Sequence, residues 1–150
     1  MEQYQRHLLE AAILTFEDFG FLFASEEVSE AQMAAEPSAA ATVHFTGHRD
    51  GSIVVELSGD LLPRLSANIL GEDEAPSAIT QLDALGEVTN VICGNLLPSV
   101  EGKDKVFNLG APQYGASAKD LVANQNPAAT ATIGLEEGKA NLYLFLEQAA

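Results

Sequence analysis

Asp83, Glu87 and Asn90 fall within the run LDALGEVTNVICGNLLP, Leu82 to Pro98, with spacings of four and then three residues. At about 100° per helical residue, Asp83, Glu87, Asn90 and Gly94 share an arc of roughly 60°, nearly opposite Leu85, Val88, Ile92 and Leu96. Two carboxylates and a carboxamide projecting side by side from a rigid element suit the docking of a charged partner. A carboxamide, which both accepts and donates, also suits the orientation of a reactant such as water. Gly94 lies in the same arc and Gly86 borders it. Each costs about 1 kcal/mol relative to Ala inside a helix, and the missing Cβ lets a partner come close to the backbone. On spacing alone, an ordinary solvated helix face is the commoner explanation of such a stripe.

The elements around this stripe are legible in outline. Tyr4 to Phe19 has helical apolar spacing through Leu8, Ala11, Ala12, Thr15 and Phe16, and Gly20 ends it. Ser25 to Ala41 is acidic and Ala-rich with weak periodicity, open to reading as a loop, an irregular edge or an insertion. TVHFTGHRDGSIVVELS, Thr42 to Ser58, alternates across a turn with Gly47, Asp50 and Gly51 and predicts a hairpin. A short helix from about Asp60 to Leu70 stops at Gly71, and EDEAP separates it from the helix of the stripe, expected over about Ala78 to Val100. Val106 to Leu109 is expected as a strand. A last hairpin pairs ATATIGL with NLYLFLE across EEGK, with Gly138 expected to supply the turn. Two helix-then-hairpin units imply an α+β fold with an antiparallel sheet, flanking helices and a faint internal duplication.

Composition narrows the classes of function. The chain has 150 residues, which fits one domain, and a formal charge of −15 from 22 acidic and seven basic residues. That balance opposes phosphate-backbone binding, so nucleic acid is not an expected partner, whereas a protein with a basic patch would be steered in. No apolar run approaches the roughly 18 to 20 residues that span a bilayer. The N-terminus lacks the pattern of a secretory signal, and the single cysteine fits a reducing compartment, so the cytoplasm is expected.

The run DALGEVTNVICGNLLP, preceded by GSIVVELSGDLLPRLSANILGED, resembles the CheC, CheX and FliY family of chemotaxis phosphatases, and most closely its CheX-like branch. These proteins remove phosphate from the response regulator CheY. The family signature is an Asp or Ser, a Glu about four positions on, an Asn about three after that, and a Pro about 23 further on. Asp83, Glu87 and Asn90 match it in type and spacing. Pro112 comes one position early, with Gln113 in the expected place. The likeness is strongest over about Gly51 to Pro112.

The resemblance implies that Asn90 enters the regulator's active site and orients the attacking water. It implies that Glu87 pairs with the regulator's lysine and that Asp83 supports the docking, with Gly86, Gly94 and Pro112 on the same contact surface. Mg²⁺ would be held by the regulator, so no metal or cofactor is expected in this chain. A homodimer with two separate sites is implied as well. In two-site relatives the first helix carries its own motif; here the corresponding positions, Arg6, Glu10 and Ile13, lack the carboxamide, so one site per chain is expected.

Rival readings are a non-catalytic module of the same fold that binds a receiver or signalling protein, and an unrelated enzyme using Asp83 and Glu87 as acid and base. Nothing in the sequence supplies an apolar pocket to drive those two carboxyls apart in pKa. His7, His44 and His48 are too scattered for a metal site, and Cys93 has no evident base to activate it.

Overall fold

In the computed structural model, which describes residues 2–122 and 125–147, three helices pack on one face of a six-stranded antiparallel sheet. The elements are α1 (Glu2–Asp18), α2 (Glu30–Ala34), β1 (Pro37–Gly47), β2 (Gly51–Ser58), α3 (Leu61–Leu70), α4 (Ala78–Glu101), β3 (Phe107–Leu109), β4 (Gln113–Gly115), α5 (Ala118–Leu121), β5 (Ala129–Leu135) and β6 (Gly138–Leu146). Strand order is β3-β1-β2-β6-β5, with β4 also paired to β1. The two expected hairpins thus join edge to edge through β2 and β6, with Val55 opposite Leu142.

Period-two alternation decides which face is covered. Val43, Phe45, Ile53, Val55, Leu57, Leu142, Leu144, Ile133 and Leu135 point to one side, where Leu8, Ala12 and Phe16 of α1, Leu65 of α3, and Leu85, Val88, Ile92 and Leu96 of α4 meet them in one core. The other side carries Val54 and Phe145, which pack with Ala118 of α5.

The segment from Ser25 to Ala41 resolves into α2 and the start of β1. Ser29 caps α2: its hydroxyl accepts from Gln32 N and Gln32 Oε1 accepts from Ser29 N, while Gln32 Nε2 donates to Glu136 O across the chain. A capping box therefore orders a stretch with almost no periodicity of its own.

The last hairpin turns differently from expectation. Leu135 pairs with Gly138, so Glu136 and Glu137 make the turn, and Glu136 holds the positive φ of 50°. Gly138 serves close approach instead, since a Cβ there would meet Ser58 Oγ at 2.8 Å and Leu61 Cδ1 at 3.1 Å.

Glu56 is a buried carboxylate on the outer side of the sheet. Its Oε2 accepts from Ala118 N at 2.7 Å and its Oε1 from Asn141 Nδ2 at 3.0 Å, fastening α5 to β2 and β6. Glu56→Ala strands both donors and is expected to cost about 2–3 kcal/mol. Urea titration checks the magnitude, and faster amide exchange at Ala118 than in the helical core would locate the loss.

Candidate functional site

α4 is the helix that carries the polar stripe, and its local chemistry explains its length. Ser77 opens it, accepting from Thr80 N at 3.4 Å, and Gly102 closes it with φ 109°, donating its N–H to Pro98 O. Pro98 has no N–H to give Gly94 O, and the helix runs only three residues beyond it, to Glu101. Leu85, Val88, Ile92, Cys93, Leu96 and Leu97 are buried against the sheet, α1 and α3, so the helix cannot roll. Thr89 is buried on the same side and its hydroxyl donates to Leu85 O at 2.8 Å.

The opposite side presents Asp83, Glu87 and Gly94 to solvent, with Asn90 half-buried at the margin. The helix thus brings Asp83, Glu87, Asn90 and Gly94 onto one continuous face. Nothing lies within 4 Å of a Cβ built on Gly94, so that part of the surface is open to an incoming chain. Asn90 Oδ1 is shut off from solvent without a hydrogen-bond partner, and it is the one such side-chain atom among the described residues. A buried acceptor left unpaired costs about 1–3 kcal/mol, a cost that native proteins keep at few places.

The room over Gly86 is used by the chain itself. A Cβ there would collide with Tyr114 Oη and stand 3.0 Å from Pro112 Cγ. Gly86 is buried, and what it accommodates is the segment leading into β4. Pro112 therefore packs directly on α4 one turn before Asn90, although it comes one position early in the chain. The site residue that sequence reasoning passed over is Tyr114. It lies in a three-residue strand that pairs Ala41 with Tyr114, and only the packing on Gly86 connects it with the stripe.

On α1, Arg6 and Glu10 are exposed and Ile13 is packed against the core. The position that would carry a second carboxamide is thus an apolar packing position.

Cys93 is fully buried, and burial pushes its thiol from about 9 up to about 12. A thiol held protonated in this way is a poor nucleophile. The unfolded thiol ionises near its ordinary value while the folded one keeps its proton. Stability contributed here is therefore intact below about pH 9 and is lost as pH rises towards about 12. Cys93→Ala is expected to remove a slope of up to about 1.4 kcal/mol per pH unit from that window, read as the difference between the two proteins' denaturation midpoints.

A sheet with two joined hairpins, covered by a long helix with Asp, Glu and Asn on its free face, defines an α+β class of fold. A family model described as chemotaxis phosphatase CheX matches residues 39–136, and the chain belongs to that family. No curated protein matches the chain. Three solved structures show the same fold. A chemotaxis protein from Desulfovibrio vulgaris Hildenborough is 18% identical with a TM-score of 0.74, over 98% of this chain and 97% of that one. A CheX–CheY–BeF₃–Mg²⁺ complex from Borrelia burgdorferi is 18% identical with a TM-score of 0.70, over 97% of this chain and 98% of that one. Chemotaxis protein CheX from Vibrio vulnificus is 15% identical with a TM-score of 0.72, over 97% of both chains. Among the described residues no helix is long and apolar enough to cross a membrane.

Proposed function

We propose that the chain hydrolyses the aspartyl phosphate of a phosphorylated CheY-like response regulator, with Asn90 and Glu87 as the residues that act on it. The observation that carries this reading is the enclosed, unpartnered Oδ1 of Asn90 on a helix fixed by its buried face. The torsion that aims a carboxamide is soft. Turning the oxygen outward lets it accept from a water at the docked phosphoryl group. Docking is thereby coupled to the placement of the reactant.

The chemistry asks little more of this chain. Water attacks phosphorus in line with the leaving carboxylate, yielding inorganic phosphate and a free aspartate, and catalysis consists mainly of positioning and charge stabilisation. Asn90 orients the water. Glu87, exposed one helical step away, pairs with the regulator's lysine, and Asp83 extends the acidic contact. Mg²⁺ held by the regulator would supply the charge that neutralises the phosphoryl oxygens, with no ligand from this chain. The family match supports the reaction class, and the CheX–CheY complex shows that a protein of this fold engages a CheY.

The same reading makes the protein a cytoplasmic homodimer. Exposed Leu14, Phe21, Phe23 and Met33, on or beside elements that border β5, supply apolar surface for the second copy.

Phosphate release from several phosphorylated receivers, with and without the protein at low and high salt, tests the function. Acceleration that weakens with salt is expected, because a chain of charge −15 attracts a basic contact surface. Binding without acceleration by any receiver would favour the non-catalytic module.

A further inference from the structure

Tyr114 occupies a place on α4 that the functional reading so far leaves unused. Its hydroxyl fills the notch that Gly86 provides, and Pro112 stands against the same notch, with Cγ and Cβ at 3.0 and 3.1 Å from where a Cβ would be. Around the helix, Gly86 is about 40° from Asn90, one turn on, and about 60° from Asp83, three residues back. The hydroxyl therefore lines the flank of the stripe on the side of Asn90 and Asp83, while Glu87 bounds the other flank.

The rest of the residue is placed for contact. Tyr114 is 37% exposed, so the side chain that sets its hydroxyl against Gly86 is also open to a partner. Its backbone is registered on β1 opposite Ala41. A ring held in this way has little freedom to lose on binding, and Tyr is among the residues whose truncation costs most at interfaces. Asp83 and Glu87 can only accept hydrogen bonds, whereas the phenol donates. Burial first, and then the nearby Asp83 charge, raise the phenol's pKa, so the donor keeps its proton through the neutral and mildly alkaline range.

We propose that Tyr114 is a docking and specificity-determining residue: its hydroxyl, seated at Gly86 on the Asn90 flank of the stripe, donates to the receiver and selects those that present an acceptor opposite it. This rests on the phosphatase reading and adds to it the feature that distinguishes one receiver from another.

The test measures the Kd of the full chain for a receiver activated with magnesium and beryllofluoride, and separately the phosphate-release rate at saturating receiver. Tyr114→Phe is expected to raise Kd about 5- to 10-fold, the effect of one lost hydrogen bond, with kcat within about twofold of wild type. Gly86→Ala is expected to reproduce that rise by expelling the hydroxyl. In the Tyr114→Phe background the same substitution still presses on Pro112, whose Cγ and Cβ stand 3.0 and 3.1 Å from the added Cβ, so whatever loss remains there reads the Pro112 contact. Wild type that binds and turns over, with Tyr114→Phe equal to it in Kd, would overturn this proposal and leave the phosphatase reading standing. Wild type that binds no activated receiver would sink both.

Discussion

Asn90→Ala is expected to lower phosphate release by about 100-fold or more while leaving affinity for the activated receiver within a few fold. A water left unoriented at phosphorus forfeits most of the advantage of positioning. The carboxamide, which is half-buried at the margin of the face, contributes little contact area compared with Asp83 and Glu87. The structure adds an expectation about stability. Because Asn90 Oδ1 is enclosed without a donor, removing it relieves an unsatisfied acceptor, and the variant should unfold at the same temperature as wild type or higher. A residue whose loss abolishes turnover without lowering stability is retained for its reaction, and thermal unfolding beside stopped-flow phosphate release reads both sides of that statement. A loss of stability of about 2 kcal/mol or more would show that Asn90 holds the fold instead.

Glu87→Ala is expected to behave differently, lowering kcat/KM about 30-fold through Kd as well as kcat. Glu87 is exposed in the free chain, and under the proposed function its carboxylate would meet the receiver's lysine only in the complex. There, truncating one member of a desolvated charge pair costs about 2 kcal/mol or more. Two readouts separate this from general weakening. The variant's affinity should depend less steeply on salt than that of wild type, and Glu87→Lys should be partly rescued by a receiver whose lysine is replaced with glutamate. A variant with wild-type Kd and wild-type salt dependence would remove Glu87 from the contact.

The stripe was legible because a helix whose opposite face is fully buried leaves no freedom in which side chains point outward. Leu85, Val88, Ile92 and Leu96 are all at 0% exposure, so the directions of Asp83, Glu87 and Gly94 follow from sequence spacing alone. The two long hairpins were legible because Ile53, Val55 and Leu57 recur at every second residue and meet the core together, while Val54 between them is buried on the other face.

What escaped was set by contacts distant in sequence. Gly86 and Gly94 look alike in the sequence, yet one receives Pro112 and Tyr114 and the other faces open space. The helical spacing sets Gly86 at the border of the arc and Gly94 inside it, but says nothing of the segment that comes to cover Gly86. β4 and α5 are each only three or four residues long and are held by β1 and by the Glu56 carboxylate rather than by their own propensity. The turn of the last hairpin followed register rather than composition: Gly138 was needed beneath Ser58 and Leu61, which moved the left-handed residue to Glu136.

The measurement that bears most directly on the central claim is single-turnover phosphate release from a phosphorylated CheY-type receiver mixed with saturating protein, wild type beside Asn90→Ala. Acceleration over the receiver's own rate by wild type, and a return to about that rate with Asn90→Ala at equal receiver occupancy, is the expected result. Equal acceleration by both proteins, or none by wild type while the complex forms, would contradict it.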